Sequence, residues 1–286
     1  MIIKPVKDRR LTLIRRSRLL SFEPDMDDRL RIKWADTVEE RKAAFSVVHQ
    51  EYLRLGYLER PNPTGMHYGL HHVLPTSSTL VLKKAHEVVA TLTHVLDTDL
   101  YGLPMDKLYR DEMDALRDKG RRLAELSALA TRRDFCWQRL FMILCRAAYH
   151  HALEKRVTDL CVMVNPRHVP FYKKVFLFED LGPERYYPVV QAPAVALKAD
   201  LETIADRLRA AYGHLPPEAN VYRFLTGSWE DATGWRQAHR TLGSPKPLER
   251  EEIRWLLCQD PCSLADLTPL QQRNVIYLCP LPGRLH

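Results

Sequence analysis

Apolar and polar residues alternate over Leu30-Arg31-Ile32-Lys33-Trp34, the period of a strand with one buried face. After Asp36 the period lengthens. Phe45, Val48, Tyr52 and Leu55 recur at helical spacing, and Gly56 ends the run. Asp36 or Thr37 can cap this helix, with Glu40 near the capping-box position. Residues 58–77 have no period and carry Pro61, Pro63, Gly65, Gly69 and Pro75. A loop of about twenty residues is usually functional or disordered, and a polar lid is the reading adopted. Thr79–Lys84 and Glu87–Asp97 are β-rich runs flanking Ala85-His86, which predicts a hairpin. Leu103-Pro104-Met105-Asp106 starts another helix, with Leu108, Met113 and Leu116 on one face and Gly120 as its terminator.

The stretch from Arg121 to Gly182 organises the rest. A strand-like run, Arg122 to Ala130, is followed by polar Thr131-Arg132-Arg133-Asp134. The amphipathic segment Trp137 to Lys155 puts Leu140, Leu144, Ala147, Ala148 and His151 on one stripe. A second strand, Leu160 to Val164, runs into Asn165-Pro166 and a short helix. A helical crossover of this length predicts two parallel neighbouring strands. Beyond Gly182, Tyr187-Val189-Val190 and Ala194–Leu197 read as further strands, and 198–212 as a charged helix. Helices are expected at 249–258 and 268–277. The expected organisation is a mobile or surface-draped basic arm over 1–28, an α/β domain over 29–198 and a helical extension over 199–286.

Composition narrows the function. A chain of 286 residues with 45% hydrophobic residues can bury a sizeable core. The net charge of +7 favours a partner with an acidic surface, although many basic proteins bind none. No nucleic-acid motif such as a zinc finger or RNP sequence is present, so a nucleic-acid partner is not expected. Of six cysteines, Cys136, Cys145 and Cys161 lie in apolar runs and read as buried thiols. Cys258, Cys262 and Cys279 do not form paired CxxC motifs, so no metal site is expected. His67, His71 and His72 lack carboxylate or cysteine partners at metal-ligand spacing. No secretory leader is evident, and no run reaches about 18 apolar residues. A cytoplasmic protein without a transmembrane segment is expected.

Several motifs together resemble those of the long-chain N-acyl amino acid synthases, relatives of the acyl-homoserine lactone synthases and of the N-acetyltransferase fold. They are Leu74-Pro75-Thr76, Leu103-Pro104-Met105-Asp106, Ala124-Glu125-Leu126-Ser127-Ala128-Leu129-Ala130, and Met163-Val164-Asn165-Pro166-Arg167-His168 before Phe171-Tyr172. The resemblance runs from about Phe45 to Leu197. It implies an α/β (α+β) mixed sheet whose two parallel strands, here Glu125–Thr131 and Leu160–Val164, splay apart to admit a pantetheine arm. It implies donor contacts from Ser127, Leu129, Ala130, Thr131, Arg132 and Arg133, and from Asn165 and His168. It also implies that Tyr172 protonates the leaving thiolate; a packing tyrosine is the competing role. Relatives carry a glycine where Leu177 stands here, which bears on the position of Tyr172.

Acetyl-CoA-using relatives cradle a pyrophosphate in a glycine-rich turn at a helix N-terminus. Arg132-Arg133-Asp134-Phe135-Cys136-Trp137 occupies that place without a glycine. Two arginines can hold the single phosphodiester of an acyl-phosphopantetheine, so the expected donor is an acyl carrier protein and no other cofactor is expected. Carrier proteins are acidic, and Arg139, Lys155, Arg156, Arg167, Lys173 and Lys174 could form a basic docking surface. Glu125 stands alone as a carboxylate in an apolar strand, which is unfavourable unless it is paired or used. The resemblance implies that it takes the amine proton or places the amine, against a structural hydrogen bond to a strand or helix end. Ser127 shares its face and could bind pantetheine or acceptor. The acceptor is expected near Glu51, Tyr52 and Arg54, with Arg54 suited to a carboxylate. The expected reaction joins a long-chain acyl group to the α-amine of an amino acid. The alternatives are an acyl-homoserine lactone synthase, a CoA-dependent acetyltransferase and a non-catalytic carrier-binding module. Against the first, Glu125-Leu126-Ser127-Ala128 lacks the Glu-Ser-Arg-Phe pattern.

Overall fold

The structure, a computed structural model, describes residues 9–17, 19–20, 30–133, 137–228, 242–259 and 267–278. Leu30, Ile32 and Trp34 turn inward from β1 (Leu30–Trp34), as their alternation predicts. β2 (Ser77–Lys84) and β3 (Glu87–Leu96) form the expected hairpin, with Ala85 at a φ of 54° in the turn. β4 (Leu123–Thr131), β5 (Asp159–Val164), β6 (Glu179–Tyr187) and β7 (Ala192–Asp200) complete a seven-stranded sheet in the order β1-β2-β3-β4-β5-β7-β6. β4 and β5 are parallel, and the other neighbours are antiparallel. This is the expected mixed α/β sheet.

Helices cover both faces. α2 (Val38–Arg54) starts at Thr37, whose Oγ1 accepts from Glu40 N at 3.2 Å, and it ends before Gly56 at φ 75°. Its Ala44, Val47 and Val48 pack on Val81, Val88 and Ala130. On the same side, α4 (Asp106–Arg117) buries Tyr109, Met113 and Leu116 against Val95, Leu123 and Cys161. α5 (Trp137–Glu154) crosses the opposite face and sets Leu140, Leu144, Ala147 and Ala148 on Ile32, Leu80, Leu82 and Leu92. Each fully buried leucine contributes roughly 1.5–3 kcal/mol from loss of water contact. α6 (Val169–Val175), α7 (Ile204–Tyr212) and α8 (Val221–Thr226) extend that layer.

Four readings change. The arm has order at Arg9–Ser17, a helix α1 whose Ile14 is buried against the core with Leu208 and Tyr212. Nine residues are too few for a helix to persist unaided, so docking decides it. β6 begins at Glu179, before Gly182, and Pro188–Val190 forms a 3-10 turn where strand was expected. β6 is an exposed edge strand containing Pro183, which an edge tolerates. A Cβ on Gly182 would come within 2.5 Å of Tyr109 Cδ1, so this close approach requires glycine. β7 continues to Asp200, and the charged helix starts only at Ile204. Within the 58–77 loop, Leu70–Val73 forms a short helix, α3.

Two further helices, α9 (Arg250–Gln259) and α10 (Pro269–Leu278), stand where they were expected. Ile253, Leu256 and Leu257 of α9 join Phe45, Met66, Tyr68 and Val73 in one cluster with Val275 of α10. Among the described residues, no helix is long and apolar enough to cross a membrane. Arg18, Asp134-Phe135-Cys136, Cys262 and Cys279 lie outside the described residues.

Candidate active site

The parallel pairing of β4 with β5 covers only Leu123↔Asp159 to Leu126↔Val162. Beyond it, β4 runs on to Thr131 and β5 to Val164, so their facing peptide groups have no partner strand. The closed end is held by Asp159, fully buried, which pairs with Lys198 Nζ at 2.8 Å and with Arg121. Burial opposes its ionisation, but the hydrogen bonds from Lys198 and Arg121 hold its carboxyl below the usual range. At the open end, β4 bulges: Thr93 faces Ser127 whereas Thr91 faces Ala130, and Ala128 adopts a φ of 51°. The extra residue bends the strand away from β5. A cleft of about 980 Å³ fills the gap. All but two of the candidate site residues line it; Arg132 and Arg133 do not.

Glu125 sits at the parting of the strands, 2% exposed. Its Oε2 accepts from the N–H of Met105, the residue that caps α4, at 2.8 Å. The structural bond to a helix end is thus present, and Glu125 also lines the cleft. Burial pushes its carboxyl up to about 8; the Met105 N–H opposes the shift and the charge of Asp106 adds to it. Tyr52 and Tyr187 lie within its field. Burial chiefly raises both phenols, Tyr52 to about 12, with the charge of Glu125 contributing. Nothing in the 179–191 pattern pointed to Tyr187, because that turn reaches the cleft only by tertiary packing.

Ser127 and His72 meet across 55 positions, with His72 Nε2 and Ser127 Oγ 3.0 Å apart. The other loop histidines act separately. His71 Nε2 donates to the Tyr101 carbonyl at 3.0 Å, and His67 packs on the Tyr52 ring at 4.9 Å. Burial holds His67 down to about 4 and His72 to about 3, so both are neutral. Among the described residues, no group of three or more His, Cys, Asp or Glu is placed to hold a metal.

The apolar end is lined by Leu129, Phe141, Cys145, Phe171 and Tyr172. Tyr172 packs in an aromatic nest with Phe141, Phe171, Phe176 and Phe178 at centroid distances of 5.5 to 6.2 Å. Its hydroxyl bonds no described residue, and burial raises the phenol so that it stays protonated. Leu177, where the resemblance led to the expectation of glycine, keeps a left-handed φ of 57°. Phe176 N and Phe178 N both donate to the Tyr172 carbonyl, closing α6 as a glycine would.

The remaining candidates divide. Asn165 Oδ1 accepts from Arg167 N at 3.2 Å, and His168 is exposed at the rim. Arg54 is paired with Glu51 at 2.7 Å, so its guanidinium already has a carboxylate. Arg132 reaches to Glu87 at 2.8 Å, across the sheet edge, and Arg133 is exposed. Of the basic surface candidates, only Arg167 lines the cleft, where it donates to Tyr57 Oη at 3.0 Å; Lys173 pairs with Asp180. Leu267, Thr268 and Gln271 from the extension also reach the cleft wall. No local pattern marked them.

Residues 43–200 match the family described as N-acyl amino acid synthase FeeM. The solved structure of FeeM, an N-acyl amino acid synthase from uncultured soil microbes, is 27% identical with a TM-score of 0.55, covering 62% of this chain and 94% of that one. The AHL synthase LasI is 17% identical over 65% of this chain and 95% of its own, with a TM-score of 0.46. An N-acetyltransferase from Staphylococcus aureus Mu50 is 12% identical over 60% and 98%, with a TM-score of 0.42. No curated protein sequence matches the chain. With a family match over more than half its length, laid on a sheet whose parallel strands part just beyond a buried carboxylate, the chain belongs to the FeeM N-acyl amino acid synthase family and is an acyltransferase.

Proposed function

We propose that the protein transfers a long-chain acyl group from the phosphopantetheine thioester of an acyl carrier protein to the α-amine of an amino acid. The observation that carries this reading is Glu125, a carboxylate buried in the cleft wall against the start of α4, one residue before the pairing of β4 with β5 ends, and pushed up to about 8 by burial. A base for an amine at neutral pH needs such a pKa. The amine nitrogen attacks the thioester carbonyl carbon, the C–N bond forms and the C–S bond breaks. Glu125 takes the amine proton, and Tyr172 supplies a proton to the departing thiolate. The pantetheine arm lies along the unpaired edges of β4 and β5. The acyl chain occupies the end lined by Phe141, Phe171 and Leu129. The acceptor enters beneath the 58–77 loop, beside Tyr52.

The carrier protein is favoured over CoA because no glycine stands in Arg132-Arg133-Asp134-Phe135-Cys136-Trp137. A bulky turn wraps a pyrophosphate poorly. A net charge of +7 also suits an acidic partner. The test is mass spectrometry after incubation with long-chain acyl carrier protein and single amino acids, beside matched arms with acyl-CoA and with S-adenosylmethionine as acceptor. N-acyl amino acids from the carrier-protein arm support the reading. Turnover of acetyl-CoA alone, or a lactone from S-adenosylmethionine, overturns it.

A further inference from the structure

We propose that Ser127, oriented by His72, donates the hydrogen bond that stabilises the oxyanion formed when the amine adds to the thioester. The proposal rests on the N-acyltransfer reading above and adds a residue pair to it. Gly69 N–H donates to His72 Nδ1 at 2.9 Å. A ring nitrogen that accepts carries no proton, so the proton of the neutral ring sits on Nε2. That Nε2–H faces Ser127 Oγ at 3.0 Å and donates to it. A hydroxyl has one proton. With its oxygen accepting from His72, Ser127 is left to donate elsewhere, and no described residue accepts from it.

The position suits the task. Ser127 lies two residues beyond Glu125 on the same face of β4, where pairing with β5 has ended. Two residues along a strand span ~6.6 Å, enough to set a base on one side of a tetrahedral carbon and an oxyanion donor on the other. Ala128, at its φ of 51°, follows at once and bends the strand there. Ser127 and His72 both line the cleft. The same protonation pattern excludes Ser127 as a nucleophile: Nε2 already holds a proton and cannot take the hydroxyl's. The acyl group therefore forms no ester with Ser127.

His72 acts through Ser127 and is a positioning residue. Its place in the 58–77 loop gives that loop a role beyond covering the acceptor. The loop carries the group that turns the Ser127 hydroxyl towards the reacting carbonyl.

The test uses the full chain with long-chain acyl carrier protein and the amino acid that gives most product. Ser127→Ala should lower kcat by about 10²–10³-fold, the range for one lost oxyanion donor, with KM for both substrates unchanged within about threefold. Ser127→Thr, which keeps the donor, should recover most of the rate. His72→Phe should lower kcat, and the double variant should be no slower than Ser127→Ala alone, because both changes remove one interaction. Nitrogen-15 NMR of the histidine rings should show His72 as the Nε2–H tautomer at pH 7. Wild-type rates in Ser127→Ala, additive losses in the double variant, an Nδ1–H tautomer, or an acyl adduct on Ser127 in the intact mass would each overturn the proposal while leaving N-acyltransfer standing. A wild-type protein that forms no N-acyl product would sink both.

Discussion

Burial opposes the ionisation of Glu125, and that opposition sets both its reactivity and its effect on stability. Its carboxyl is raised from the ordinary 4.5 to about 8. As the base it must be ionised, so kcat/KM should fall about tenfold per pH unit below 8 and level off above it. Glu125→Gln keeps an acceptor for Met105 N–H but cannot take a proton. It should lose about 10²–10⁴-fold in kcat and lose the inflection near pH 8. Its stability should move the other way. A raised carboxyl favours the folded state only while protonated, so wild type loses stability as pH rises from 4.5 to 8. The variant should gain on wild type by up to about 1.4 kcal/mol per pH unit across that window. Thermal melts at pH 5 and pH 9 measure this, and a gap that does not widen with pH would refute the assignment.

At the scale of elements, the cleft exists because two strands are tied at one end and parted at the other. Asp159 ties them. It lies at the first register pair, Leu123↔Asp159, and bonds Arg121 from the β4 side and Lys198 from β7. Asp159→Asn leaves two cations beside a neutral amide, and removing one partner of a buried pair costs about 3–5 kcal/mol. Urea titration should show that loss. Because the folded carboxyl is held below its ordinary 3.8, the wild-type contribution is present above that pH and fades only in stronger acid. Stability unchanged by Asp159→Asn would mean that the parting of the strands is held elsewhere. The bulge at Ala128 does the complementary work at the open end, as the residue at which β4 leaves its regular register.

For the molecule as a whole, the extension is a roof on the loop. Tyr68 Oη donates to the Leu256 carbonyl at 2.7 Å, Lys42 Nζ lies 4.0 Å from the Trp255 ring centre, and Arg41 donates to the Lys246 carbonyl. These contacts join α2 and the 58–77 loop to α9 and the segment before it, outside the 43–200 family match. Leu256 is fully buried in the shared cluster. Leu256→Ala should cost about 2–5 kcal/mol. Hydrogen exchange should also speed up at residues 66–74 more than in the sheet. Uniform exchange across the chain would show that the roof does not hold the loop.

Local period determined much of this protein. Alternation set β1 and the hairpin, and the stripe from Leu140 to Ala148 set α5 and its docking face. The crossover length implied parallel β4 and β5, and a lone carboxylate in an apolar strand marked Glu125. These features are legible because each depends on neighbours a few positions away. What the tertiary structure decided depends on distant partners. α1 is ordered by packing on elements more than 150 residues downstream. The Ala128 bulge appears only where β4 must match β3, and its left-handed turn has no glycine to announce it. Arg132 found a carboxylate in Glu87, 45 positions away. His72 reached Ser127 across a loop without a period. Sequence spacing carries the periods of helices and strands, but a hydrogen bond between residues 55 apart exists only once the chain between them has folded.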